Sequence, residues 1–132
     1  RKVVREYMGK KIPLHNDGTP IRNWLHAQDT ADAIITIIES NIHDQIYNIA
    51  GEFEQANVDT VRKVVREYMG KKAPNNGKFW MEYIDTSFSR KGQDVRYALN
   101  DDKLRALGWK PEVVFSEALP GIVKYYKNKF IW

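Results

Sequence analysis

Three tyrosines in this 132-residue chain are each followed four positions later by lysine: Tyr7/Lys11, Tyr68/Lys72 and Tyr125/Lys129. On a helix that spacing puts a phenol and an ammonium on one face, where the cation lowers the phenol pKa and readies it for proton transfer. The surroundings argue against that use. Gly9 and Gly70 interrupt the first two pairs, and the third lies at a fraying C-terminus. Composition alone yields matches of this kind, so none is taken as catalytic.

A second set of groups suits binding rather than bond-making. Arg22 follows a glycine-containing turn, and Arg90 and Arg96 bracket Gly92 and Asp94 in Arg90-Lys-Gly-Gln-Asp-Val-Arg-Tyr97. Guanidinium groups in such loops suit bidentate contacts to phosphate. Asp94 is placed to hold one arginine in position. Loops of this composition are also often simply solvated, and spacing alone does not separate the two readings. A dinucleotide fingerprint is absent: glycines stand at 9, 18, 51, 70, 77, 92, 108 and 121, with no G-x-G or G-x-x-G. With no cysteine, disulfides and thiolate metal sites are excluded. His15, His26 and His43 lack the spacing of a metal site, and the four tryptophans read as core and rim aromatics.

The elements that must position these groups alternate between short apolar strands and amphipathic helices. Ile12–His15 and Ile21–Leu25 read as strands around the turn Asn16-Asp-Gly-Thr-Pro20. Asp29 reads as the N-cap of a helix over about 30–40, with Ala31, Ile34, Ile35 and Ile38 on its apolar face. Gln45–Ala50 reads as a compact buried strand. Asn57 reads as the N-cap of a helix over about 58–69 that buries Val61, Val64, Val65 and Tyr68 and stops at Gly70. Lys78–Ile84 reads as a strand, Ser87–Tyr97 as a loop, Asn100–Leu107 as a short helix ended by Gly108, and Ser116 as the cap of a last helix reaching about Asn128. This alternation predicts an α/β fold with at least one parallel strand pair.

Length fits one domain with a modest core, and 42% apolar with 29% charged residues reads as globular. No apolar run approaches the roughly 20 residues of a membrane span. The charged N-terminus is unlike a signal peptide, so a cytoplasmic setting is expected. The net charge of +4 favours anionic ligands without choosing among them. Residues Arg1–Lys11 recur unchanged at Arg62–Lys72. The remaining halves do not match, so this is a copied segment and not a repeat architecture.

Several stretches together resemble one family. Asn16-Asp-Gly-Thr-Pro-Ile-Arg-Asn-Trp-Leu-His-Ala-Gln-Asp-Thr-Ala-Asp-Ala33 is similar to the G-x-G-x-x-x-R-D-W-L-Y-V-x-D-H-A-x-A stretch of NAD-dependent nucleotide-sugar dehydratases and epimerases, which are extended short-chain dehydrogenases/reductases. Ile46–Gly51 resembles their Y-N-I-G-G strand, Ser89–Ala98 their D-R-P-G-H-D-x-R-Y-A loop, and Leu107–Pro111 their L-G-W-x-P turn. The resemblance covers about residues 12–128. It implies the C-terminal substrate-binding portion of such an enzyme: an incomplete Rossmann sheet with four to five helices and short strands. Residues 1–11 are then a copied helical segment and 12–132 a nucleotide-sugar-binding domain.

By the same resemblance Arg22, Asn57, Arg90 and Gln93 contact the nucleotide sugar, while Asp94, Arg96 and Tyr97 order the loop. No catalytic, cofactor-binding or metal residue is implied, because the NAD loop and proton-transfer residues of the family lie in an amino-terminal half not matched here. The expected partners are a dTDP- or UDP-sugar and further copies in a homo-oligomer, with no membrane and no nucleic acid. The chain departs from the pattern at His15, Asn16, Asn23, Lys91 and Gln93.

Overall fold

The computed structural model describes residues 11–70 and 83–129. Strand β1 (Ile12–Pro13) runs into a tight turn at His15–Gly18, and β2 (Ile21–Trp24) leads to helix α1 (Ala27–Glu39). Strand β3 (Phe53–Ala56) passes directly into α2 (Asn57–Met69). After β4 (Ile84–Asp85), the short α3 (Asp102–Arg105) and the long α4 (Phe115–Lys129) complete the order. Among the described residues the class is therefore α/β, with four helices and short strands in two small, incomplete sheets.

The expected parallel pair is β1 with β4, Ile12 opposite Ile84 and Pro13 opposite Asp85. β2 and β3 pair antiparallel from Ile21–Ala56 to Trp24–Phe53. Ile21 also bridges Arg96 in parallel, its N–H donating to the Val95 carbonyl at 2.7 Å. That bridge brings the arginine-containing loop to the edge of the second sheet.

Two apolar clusters hold these pieces. Ile12, Leu14 and Ile84 pack with Val61 and Val65 of α2, flanked by Val58, Met69 and Tyr83. Ala33 of α1 packs with Leu104 and Trp109, flanked by Leu25, Ile37, Tyr47, Ile49 and Leu107. Phe115 opens α4 by stacking on Phe53 at 4.7 Å and meeting Trp24 edge-on at 6.1 Å.

Several local expectations are corrected. α1 begins at Ala27, capped by His26, whose Nδ1 accepts the Gln28 N–H at 3.1 Å. Asp29 therefore lies within the first turn. The inward stripe of α1 is Asp29–Ala33 with the partly buried Ile37, not Ala31–Ile34–Ile35–Ile38. Only the small Ala33 lets Leu104 and Trp109 come close, so packing overrides the larger apolar stripe, and Ile34, Ile35 and Ile38 face outward. Gln45–Ala50 is not a buried strand: it has no ladder partner among the described residues, and Ile46 is 88% exposed.

Further along the chain, α2 opens at Asn57 with Ala56 as its cap, and no side chain caps it. The expected Gly70 stop holds, at φ 58°. The first strand is shorter than expected, because Asn16 and Asp17 turn the chain left-handed at φ 50° and 56°. α4 starts one residue before Ser116. Most of Lys78–Ile84, and the first copy of the eleven-residue segment up to residue 10, lie outside the described residues.

Candidate anion-binding site

The site grows from the turn between β1 and β2. Three successive left-handed residues, Asn16, Asp17 and Gly18, reverse the chain there. Asparagine and aspartate tolerate that conformation because their short polar side chains bond locally. Gly18 has a second reason to be glycine: a Cβ would stand 2.8 Å from Leu14 Cδ1 and from Val58 Cβ. The turn thus sits against the start of α2, and Asn57 N–H donates to the Pro20 carbonyl at 3.0 Å.

Arg22, on β2, is half-buried. Its guanidinium donates to the Ile21 carbonyl at 2.7 Å and to the Asp94 carbonyl at 3.3 and 3.4 Å. It also lies over the Tyr97 ring, 4.5 Å from the centroid. These bonds fix the plane of the fork while leaving part of it uncommitted. Asp94 holds Arg22 through its main chain, and its carboxylate instead accepts the Tyr97 O–H. That bond, and the nearby negative charge, raise the phenol above the ordinary tyrosine range, while the charges of Arg22 and Arg90 oppose the rise.

Arg96 turns away from this cluster. It forks onto Glu54 of β3 with Nη2 to Oε2 at 2.7 Å and Nε to Oε1 and Oε2 at 3.1 and 3.0 Å. The carboxylate holds the guanidinium charged, raising its pKa. The pair ties the loop to the second sheet. Glu54 itself escaped the sequence reading, because nothing in the spacing marks a partner 42 residues away.

Gln93 is half-buried, and its Oε1 has no hydrogen-bond partner among the described residues. The Asn57 carboxamide likewise makes no bond there, although Asn57 sits at the mouth of α2 beside the turn. Arg90 is exposed in the loop, with its main chain bonded to Asn16. Arg22 therefore meets Tyr97 and the Asp94 carbonyl, Arg90 is tied through its main chain to Asn16, Arg96 braces the loop from outside, and Asn57 opens α2 against the adjoining turn.

Two asparagines are clamps that sequence reasoning missed. The Asn23 carboxamide pairs with both main-chain polar atoms of Gly51. Asn16 does the same with Arg90. Both stand where the chain departs from the resembling pattern, which is the one signal that was available.

Of the Tyr/Lys pairs, Tyr125/Lys129 lies wholly within the described residues. There the Lys129 Nζ sits over the Tyr125 ring face, 4.7 Å from its centroid, on an exposed stretch of α4. That is a surface cation–π contact. The described residues contain no cluster of three metal-ligating side chains, and none of their helices is long and apolar enough to cross a membrane. Without a glycine-rich strand-to-helix turn, the residues of this chain do not fit the pyrophosphate of NAD.

Four helices and short strands in small, incomplete sheets among the described residues give the α/β class seen in short-chain dehydrogenase/reductase-type dehydratases and epimerases. The chain belongs to the family described as GDP-mannose 4,6 dehydratase, whose profile matches residues 1–121. Among its relatives, the dTDP-glucose 4,6-dehydratase of Haemophilus influenzae is 34% identical over 127 residues, covering 94% of this chain and 38% of that protein. The crystal structure of dTDP-glucose 4,6-dehydratase from Bacillus anthracis in complex with NAD superposes with a TM-score of 0.78 at 31% identity, covering 98% of this chain and 39% of that one. The Streptomyces venezuelae dTDP-glucose 4,6-dehydratase gives 0.79 at 27% identity, with 96% and 37% covered. The chain thus spans less than two-fifths of the length of these relatives.

Proposed function

We propose that this chain binds the diphosphate of a nucleotide sugar, of the dTDP- or UDP- class, through Arg22 and Arg90, with Asn57 and Gln93 as further contacts. Asp94, Arg96 and Tyr97 order the loop that carries Arg90 and Gln93. The observation that carries this reading is Arg22, held flat against the Tyr97 ring and the Asp94 carbonyl and only partly used, beside a loop whose Arg90 main chain is tied to the neighbouring turn. The family supports it, since the named relatives act on a dTDP-sugar. The chain spans less than two-fifths of these relatives, so the proposal concerns binding of the nucleotide sugar and not the whole reaction.

Calorimetric titration with dTDP and UDP tests it. Each charge-assisted phosphate contact contributes about 1.5–3 kcal/mol, so Arg22→Ala or Arg90→Ala weakens binding by roughly 10- to 100-fold. No heat with either nucleotide, or unchanged affinity in both variants, refutes the reading.

A second reading rests on a different surface. Ile34, Ile35, Ile38, Ile42 and Ile46 are all close to half exposed or more, on α1 and the extended segment after it. Such a patch beside an unpaired extended segment favours association. We propose that further copies of this chain cover it in a homo-oligomer. Light scattering coupled to size exclusion tests this: a monomer at high concentration, or an oligomer indifferent to Ile35→Glu and Ile38→Glu, overturns it.

A further inference from the structure

Arg90 is an exposed arginine in a loop, and a free loop would spread its guanidinium over many positions. The structure shows what restrains it. The Asn16 Nδ2 donates to the Arg90 carbonyl at 3.3 Å, and the Asn16 Oδ1 accepts the Arg90 N–H at 3.0 Å. The same Oδ1 accepts the Ser89 hydroxyl at 3.2 Å. One residue earlier in the loop, the Phe88 carbonyl accepts the Asn16 N–H at 3.0 Å, and the Phe88 ring stands edge-on to His15 at 5.2 Å.

A carboxamide carries the same donor and acceptor as a peptide group, so Asn16 pairs with Arg90 as a strand residue would, across 74 positions of sequence. It does so from a left-handed backbone, φ 50°, in the turn that follows β1. Arg22 is locked to Asp94 and Tyr97, and the charge of Arg90 reaches the same phenol.

We infer that Asn16 is a positioning residue for Arg90, latching the main chain at 88–90 so that the two arginines face one anion. This rests on the nucleotide-diphosphate reading, but its first readout needs no nucleotide. Asn16→Gly keeps the left-handed turn, because glycine adopts that backbone freely, and removes only the carboxamide. In the ligand-free chain, hydrogen exchange followed by NMR should speed at the Arg90 amide by roughly tenfold or more, while amides of α2 stay unchanged. Asn16→Asp, which accepts from the Arg90 N–H but cannot donate to its carbonyl, should fall between.

The second readout is a double-mutant cycle on dTDP affinity. Asn16→Gly should weaken binding by about 3- to 10-fold in the parent chain and leave it unaltered in an Arg90→Ala background. A merely structural role would lower affinity equally in both. Unchanged Arg90 exchange, or an additive cycle, overturns the inference. If the parent chain binds no nucleotide, the proposed function fails and the exchange result alone decides the latch.

Discussion

Asp29 offers the sharpest test of how the fold is held. It is buried to 2% exposure inside the first turn of α1. Its Oδ1 accepts the main-chain N–H groups of Glu112 and Val113 at 2.9 and 3.2 Å, and Oδ2 takes a longer contact from Val113 at 3.4 Å. The Asp29 carbonyl separately accepts the Trp109 indole N–H at 3.1 Å. One side chain thus docks the 109–113 segment onto the helix. In Asp29→Ala the indole contact survives, since it uses the main chain, but two partly buried donors lose their acceptor. Bonds to a charged group contribute about 1.5–3 kcal/mol each, and partial access to water offsets some of that, so the loss should be roughly 2–4 kcal/mol. Asp29→Asn keeps Oδ1 and both shorter bonds, and forfeits only charge and a favourable place near the helix N-terminus, about 1–2 kcal/mol. Urea unfolding followed by circular dichroism reads both. With a slope of about 1–2 kcal/mol per molar for a chain this size, the alanine midpoint should fall by roughly 1–4 M. A loss below about 0.5 kcal/mol for alanine, or asparagine as damaging as alanine, refutes the docking role.

Two further predictions follow from single contacts. Gly51→Ala should destabilise by about 1–3 kcal/mol in the same urea assay, because its Cβ would stand 2.6 Å from the Trp24 carbonyl and 2.9 Å from Asn23 Oδ1, breaking the Asn23 clamp; an unshifted midpoint counts against it. Tyr97 should titrate above the ordinary tyrosine range, read as the absorbance difference at a tyrosinate wavelength between the parent chain and Tyr97→Phe. Its O–H bond to Asp94 favours the protonated phenol, so that stabilisation is complete below the unfolded pKa of about 10 and disappears as pH rises through the folded value. Asp94→Ala should bring the titration back toward ordinary, and no difference between Asp94→Ala and the parent would remove the contact.

What the sequence disclosed depended on whether a pattern is local. The β1–β2 turn, the Gly70 stop and the short helix before Gly108 were legible because each needs particular residues at particular backbone angles. The buried side of α1 was not. Counting large apolar residues selects Ile34, Ile35 and Ile38, yet the face that packs is chosen by clearance, and Ala33 supplies it for Leu104 and Trp109. Asp29 carried the signature of an N-cap, and its true partners lie more than 80 positions away, where no periodicity reaches. Gln45–Ala50 has the composition of a buried strand, but composition cannot supply a neighbouring strand.

The basic loop divides in the same way. Arginines near glycines could be recognised from their order, and Arg22 does lie over Tyr97. The division of labour among them could not, since Arg96 looks like Arg90 until Glu54 is placed opposite it. The copied segment makes the general point. In its second occurrence Val65 is buried against Ile12 and Ile84, Met69 packs on the same cluster, and Lys63 lies over Phe53 and Phe115. None of those partners is inside the copied eleven residues. Identical sequence fixes helical tendency and charge at both places, but burial is decided by what surrounds it. Substituting Val65 by Ser should therefore report on that surrounding cluster. The loss should be about 2 kcal/mol or more in the urea assay, and an unshifted midpoint would mean that Val65 does not hold the cluster together.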